Sequence, residues 1–194
     1  MECNHDCNLC TLSTCHGAQR KCVWGAGSPK AKLMLIGEAP DQMGQIMMQP
    51  CAGPAEDLLN HVLTRLGIDR ASLYVTNVLK CRPDNGKLPG AKELRECLEK
   101  CRPYLQEELK TVKPKAVLVL GGTALKMYTG LSPITKYEGM EVSPQVFAGF
   151  SPSYVLHSPS KEIRLAQAIA RAAQVADIKI KPTTGDMFPY EIRT

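Results

Sequence analysis

Leu33-Met34-Leu35-Ile36-Gly37-Glu38-Ala39-Pro40 is the stretch whose reading decides the fold. Four apolar residues in a row read as a strand buried on both faces. Gly37, Glu38 and Pro40 then stop the strand in a sharp polar loop. Parallel sheets carry their chemistry in such loops, at the carboxyl ends of their strands.

The pattern repeats along the chain. A long loop through Pro50 and Gly53 leads to a helix opened by Pro54-Ala55-Glu56-Asp57, with proline in the first turn and acids where they suit the helix dipole. Leu58, Leu59, Val62, Leu63 and Leu66 fall on one face of that helix, and Gly67 ends it. A second strand is read over 73–79, a helix over 91–111, a third strand over 115–120, a helix near 123–129, a weaker strand over 146–150 and an Ala-rich helix over 160–176. Strands alternating with helices predict a three-layer α/β/α sandwich around a four-stranded parallel sheet. Residues 1–181 read as one domain and 182–194 as a loosely held extension.

Composition bounds the class. The 194 residues suffice for one well-cored domain, and 44% apolar with 22% charged residues is ordinary for a globular protein. No stretch reaches membrane-spanning length and the N-terminus does not read as a signal peptide, so the expectation is a cytoplasmic protein off the membrane. A net charge of +5 permits a nucleic-acid partner without demanding one.

Nine cysteines are an odd count, a poor basis for a disulfide framework and a better one for a metal site. Cys7-x-x-Cys10 is a short chelating loop, Cys81 ends the second strand, and Cys97 and Cys101 share one face of the following helix. Such a set holds either an iron–sulfur cluster or zinc, and spacing does not separate them. Cys15, Cys22 and Cys51 read as small buried hydrophobes. Cys3-x3-Cys7-x2-Cys10 also has radical-SAM spacing, but the chain has too few strands for that barrel, and Cys3 reads as an accident.

Cys7-x-x-Cys10, Gly37-Glu38-Ala39-Pro40, Pro50-x-x-Gly53, Thr76-Asn77-Val78-x-Lys80-Cys81-Arg82-Pro83 and Cys101-Arg102-Pro103-Tyr104-Leu105 together resemble the iron–sulfur uracil-DNA glycosylases of family 4. The resemblance runs from about Cys7 to about Ala172. It implies the α/β/α fold, a [4Fe–4S] cluster and release of a flipped base from DNA; the expected state of the chain is a monomer. Seventy residues separate Cys10 from Cys81 and fifteen separate Cys81 from Cys97, which suits the family's ligand set of Cys7, Cys10, Cys81 and Cys97. A longer segment before Cys101 makes that residue a rival for Cys97.

The resemblance also assigns the site. Glu38 would polarise water or balance charge on the sugar, and Asn77 would read the base edge, with Ala39 and Pro40 lining the pocket. Three positions depart from the family: Asp41 stands for a glycine, Cys51 for the phenylalanine that stacks on the base, and Ser151 for the histidine of the second motif. His157 lies six residues further on, where the family is usually basic. Ser153, His157, Ser158 and Lys161 would meet DNA, while Lys80, Arg82, Lys87 and Lys92 could face phosphates. Smaller side chains at 51 and 151 and a carboxylate at 41 favour a bulky modified pyrimidine, such as glucosylated hydroxymethylcytosine, over plain uracil. Such bases mark some viral genomes, which would suit antiviral defence. An ordinary uracil repair enzyme and a non-catalytic DNA-binding module are the competing readings.

Overall fold

The computed structural model describes residues 7, 9–14 and 22–181. Cys3, Cys15 and the extension 182–194 lie outside the described residues. In chain order the elements are α1 (Thr11–Thr14), β1 (Ala26–Gly27), β2 (Leu33–Gly37), α2 (Gln42–Met47), α3 (Gly53–Leu66), β3 (Tyr74–Asn77) and α4 (Ala91–Val112). They continue with β4 (Ala116–Leu120), α5 (Gly122–Thr129), α6 (Ile134–Tyr137), β5 (Glu141–Ser143), β6 (Val146–Gly149), α7 (Pro152–His157) and α8 (Glu162–Val175).

The strand order is β1-β3-β2-β4-β6-β5. The four inner strands are parallel, as the alternating pattern predicts, with Gly37 level with Asn77 and Leu35 level with Leu118. The sheet is nevertheless six-stranded and mixed, a correction to the four strands read from sequence. β1 and β5 pair antiparallel along the two edges. Two and three residues long respectively, they are too short to show a period-2 pattern.

Side chains alternate across the sheet as the pleat requires. Leu33 and Leu35 of β2 and Leu118 and Leu120 of β4 enter the core beneath α3, α7 and α8. Met34, Ile36, Val117 and Val119 enter the opposite core, beneath α4 and α5. Cys10, Cys81, Cys97 and Cys101 belong to this second core. The helices predicted at 91–111 and 123–129 agree with α4 and α5 to within a residue. The one after Gly53 ends at Gly67, whose φ of 66° and N–H bonds to the Leu63 and Thr64 carbonyls make the left-handed cap.

Two short helices lie outside the elements read from sequence, α2 within the stretch read as a long loop and α7 where the sequence reading gives no element. Asp41 caps α2, its Oδ1 accepting the Gly44 N–H at 2.6 Å. Ser151 caps α7, its Oγ accepting the Tyr154 N–H at 3.2 Å with Pro152 in the first turn. Six residues each, these helices are too short for an apolar repeat to reveal them.

Candidate active site

The carboxyl ends of the inner strands open into one cleft of about 310 Å³. β2 delivers Gly37-Glu38-Ala39-Pro40, β3 delivers Asn77, β4 delivers Gly121, and the turn after β6 delivers Ser151 and Ser153. Asp41, Pro50, Cys51 and Ala55 close the remaining wall. All seven residues named from sequence as catalytic or pocket residues therefore line one space: Glu38, Ala39, Pro40, Asp41, Cys51, Asn77 and Ser151.

Backbone pairing sets the two motifs against each other. Val78 N–H donates to the Gly37 carbonyl at 3.0 Å, and Leu79 N–H donates to the Glu38 carbonyl at 2.9 Å. Glu38 is half-buried, and no described residue bonds its carboxylate, which stays available to water or substrate. A Cβ at position 37 would stand 2.5 Å from Asn77 Oδ1, so any larger residue there would push the Asn77 amide aside. Gly121, at φ 93°, lets the β4 turn pass Ser151 closely, a Cβ there lying 3.3 Å from that of Ser151.

Asn77 is buried, and its Nδ2 donates to the Pro50 carbonyl at 2.6 Å. That bond ties β3 to the loop carrying Cys51. It engages one of the two amide N–H donors, leaving the other N–H and the Oδ1 acceptor for a base edge. Asp41 and Ser151 each spend one oxygen on a helix cap. The Cys51 thiol faces Glu56, and burial, then the Glu56 and Asp41 carboxylates, push its pKa far up, so it stays protonated. Glu56 is held from behind by Arg70, Nε to Oε1 at 2.9 Å.

The residues read as DNA contacts run from the cleft edge along α7 and the turn after it. Ser153 lines the cleft edge, His157 is exposed at the end of α7, and Ser158 and Lys161 flank a short 3-10 turn leading into α8. Lys80 needs correcting. It is wholly buried and cannot face a phosphate; its Nζ lies 2.6 Å from Glu108 Oε2 and 2.6 Å from Thr76 Oγ1. Glu108 also accepts the Gly25 N–H at 2.7 Å and the Thr76 hydroxyl at 2.7 Å. The signal for this network was present in sequence: Glu108 falls on the buried α4 stripe of Cys97, Cys101, Leu105 and Val112, where a lone acid needs a partner.

Four of the thiols, Cys10, Cys81, Cys97 and Cys101, enter the core beneath α4. Cys7, Cys10, Cys81, Cys97 and Cys101 are all buried. Tyr104 donates its hydroxyl to Cys7 Sγ at 3.8 Å, and Thr11 Oγ1 lies 3.5 Å from Cys97 Sγ. Burial pushes the Cys101 thiol up to about 11, with Cys10 and Cys7 near enough to add to it. Cys22, read as a buried hydrophobe, is buried and lies near enough to raise the Tyr104 hydroxyl. Among the described residues, no three cysteine, histidine or acidic side chains form a group that could hold a metal ion as they stand. In chemistry, a buried all-thiol set brought from three segments suits an iron–sulfur cluster.

The sequence profile of the uracil DNA glycosylase superfamily matches residues 24–174. The chain belongs to that superfamily. Among its relatives, the type-4 uracil-DNA glycosylase of Archaeoglobus fulgidus is 32% identical over 165 residues, covering 79% of each chain. That of Pyrobaculum aerophilum is 36% identical over 116 residues, covering 60% of this chain and 56% of its own. That of Sulfurisphaera tokodaii is 32% identical over 179 residues, covering 86% of this chain and 79% of its own. Membership makes the chain a DNA glycosylase, and the superfamily's sandwich is the fold described above. No helix among the described residues is long and apolar enough to cross a membrane.

Proposed function

We propose that this superfamily member releases a bulky modified pyrimidine, a 5-substituted cytosine such as glucosylated hydroxymethylcytosine, from DNA. The observation that carries the reading is convergence: Asp41, Cys51 and Ser151, the three departures from the family pattern, line one cleft with Glu38 and Asn77. Cys51 and Ser151 are smaller than the phenylalanine and histidine they replace, which leaves room for a substituent. Asp41 keeps its second oxygen for a hydroxyl on that substituent. Asn77, with one amide N–H on Pro50, keeps its second N–H and its Oδ1 for a base edge. Its acceptor meets the exocyclic amine of cytosine and equally the N3–H of uracil, so the preference for a modified cytosine rests on Asp41, Cys51 and Ser151 and not on Asn77.

In this mechanism the base leaves the stack, enters the cleft and is read on its edge by the Asn77 side chain. As the N-glycosidic bond breaks, the sugar takes on oxocarbenium character, and the Glu38 carboxylate offsets that positive charge and orients the attacking water. The Ser151 hydroxyl lies on the wall that the departing base passes. Ser153, His157, Ser158 and Lys161 form the strip that meets the DNA strand beside the cleft.

Cys7, Cys10 and Cys81 would hold a [4Fe–4S] cluster, with Cys97 as fourth ligand and Cys101 its rival at the next turn of α4. Bound there, the cluster would cross-link the N-terminal segment, the end of β3 and α4. Excision of modified bases that mark viral genomes would make antiviral defence the natural use.

The test is a profile of released bases. DNAs carrying uracil, 5-hydroxymethylcytosine and its glucosylated form are incubated with the protein, and free bases are identified by mass spectrometry. Release of the glucosylated base, abolished by Glu38→Ala, is expected. Strong uracil release with the modified DNAs untouched would leave the uracil repair reading, and no release from any DNA would leave the binding module.

A further inference from the structure

Helix α3 forms one wall of the cleft through Ala55 and Leu59. The next residues round the helix, Glu56 and Asn60, stand one turn apart on a shared face. Each keeps one side-chain oxygen, Glu56 Oε2 and Asn60 Oδ1, that is buried and has no hydrogen-bond partner among the described residues. The other Glu56 oxygen is taken: Arg70 Nε donates to Oε1 at 2.9 Å and holds the carboxylate in place. A buried acceptor without a donor lowers stability, and native proteins keep few of them.

Cys51 joins Glu56 to the cleft. It lines the cleft, and its thiol faces the Glu56 carboxylate. Asp41, which lines the same cleft, lies near enough to act on that thiol as well. A thiol is a weak donor, so it leaves a carboxylate oxygen far from satisfied. A hydroxyl in its place would be the better partner, and the short cysteine side chain can turn aside for it. Asp41 alone serves a substituent with one hydroxyl. Further acceptors on Glu56 and Asn60 suit a substituent with several, and a sugar is such a group.

We propose that Glu56, with Asn60 one turn further along α3, determines specificity for a sugar on the base: Glu56 Oε2 accepts a sugar hydroxyl in place of the Cys51 thiol. This rests on the reading of the cleft as the pocket of a modified cytosine. A site built to hydrogen-bond a substrate hydroxyl rejects the analogue without it, because its buried acceptors then stay unpaired. Glu56 and Asn60 thus act against every base that brings no sugar, 5-hydroxymethylcytosine and uracil included.

The experiment compares the wild type with Glu56→Leu, which removes both oxygens, and with Glu56→Gln. In Glu56→Gln the Arg70 bond holds the side-chain carbonyl, so an amide N–H group replaces Oε2 and the charged acceptor is lost. Single-stranded oligonucleotides carry glucosylated 5-hydroxymethylcytosine or 5-hydroxymethylcytosine, and release is measured as kcat/KM. Affinity is measured by fluorescence anisotropy on the same oligonucleotides with a 2′-fluorinated target sugar. The fluorine opposes positive charge on the sugar and so blocks release, and recognition is read whether or not a base is excised. The wild type is expected to favour the glucosylated base, and both variants to lower that preference by about tenfold to a hundredfold, the worth of one hydrogen bond to a charged group. Melting curves establish that folded proteins are compared, and Glu56→Gln, which keeps the Arg70 bond, carries the test if Glu56→Leu does not fold. An equal preference in the wild type and Glu56→Gln, or a wild type without preference in either measurement, would overturn the assignment. A preference in affinity that Glu56→Gln loses, with no base released by the wild type, would support the sugar-binding role and overturn the excision reading alone.

Discussion

Lys80 Nζ lies 2.6 Å from Glu108 Oε2, and neither side chain has any exposure to water. The pair joins three segments: Glu108 comes from α4, Lys80 from the turn after β3, and the Gly25 N–H closes the remaining carboxylate oxygen. Those segments also carry the thiols, since Cys81 follows Lys80 and Cys101 lies on the Glu108 helix. The same turn bonds the Glu38 carbonyl through Leu79. One buried ion pair thus ties the turn that carries Cys81 to the helix that carries Cys97 and Cys101.

Breaking this pair from one side should be costly and removing it whole should not. Lys80→Met leaves Glu108 as an uncompensated buried charge, with an expected loss of about 3–5 kcal/mol. Lys80→Met/Glu108→Leu removes both charges and should recover most of that loss. Urea denaturation of the two variants checks the difference, and equal destabilisation in both would contradict it.

Rebuilding the family's pocket should move the substrate preference. Cys51→Phe restores a stacking ring, worth about 1–3 kcal/mol of base binding by the measure of aromatic–base stacking. Ser151→His restores a donor toward the departing base but removes the α7 cap, at a cost near 1 kcal/mol of stability. The double variant should gain uracil release and lose release of the glucosylated base. A gain on uracil with no loss on the bulky base would mean that the pocket had not been widened for it.

The sheet was legible because its inner strands are buried on both faces and write themselves as apolar runs: Leu33 to Ile36 and Ala116 to Leu120 need no context to be read. The edges were not, because β1 and β5 are too short to carry a period. The cleft was legible because Glu38 and Asn77 end adjacent strands, so their juxtaposition follows from the topology. Asp41 and Ser151 were seen as pocket residues but not as helix caps, since six-residue helices leave little periodic trace. Lys80 was misread because a lysine beside Cys81 and Arg82 looks like a phosphate contact. Only the fold shows that its stem turns inward to an acid 28 positions away.

Among the thiols, Cys97 and Cys101 should separate cleanly by colour. Both are buried on one face of α4, so serine at either position keeps the packing nearly unchanged. Cys97→Ser is expected to abolish the visible absorption of protein reconstituted with iron and sulfide, and Cys101→Ser to retain it. The opposite outcome would exchange the two roles. Absorption surviving both single changes but lost in the double would mean that each can replace the other.

Cys51 gives the protein an alkaline dependence of definite sign. An ordinary thiol ionises near 9.0, and in the folded chain burial, then Glu56 and Asp41, raise this one well above that value. Below about pH 9 both folded and unfolded chains keep the proton, and the stabilisation is fully present. Above it the unfolded chain loses the proton while the folded chain holds it, so stability falls as pH rises. Melting curves from about pH 7 to about pH 10 should therefore decline less steeply for Cys51→Ala than for the wild type. Glu56→Gln removes one of the carboxylates that oppose ionisation, so it should lower the thiol pKa and speed alkylation of Cys51 by iodoacetamide. An unchanged rate would show that burial alone governs the thiol and that the Glu56 carboxylate does not reach it.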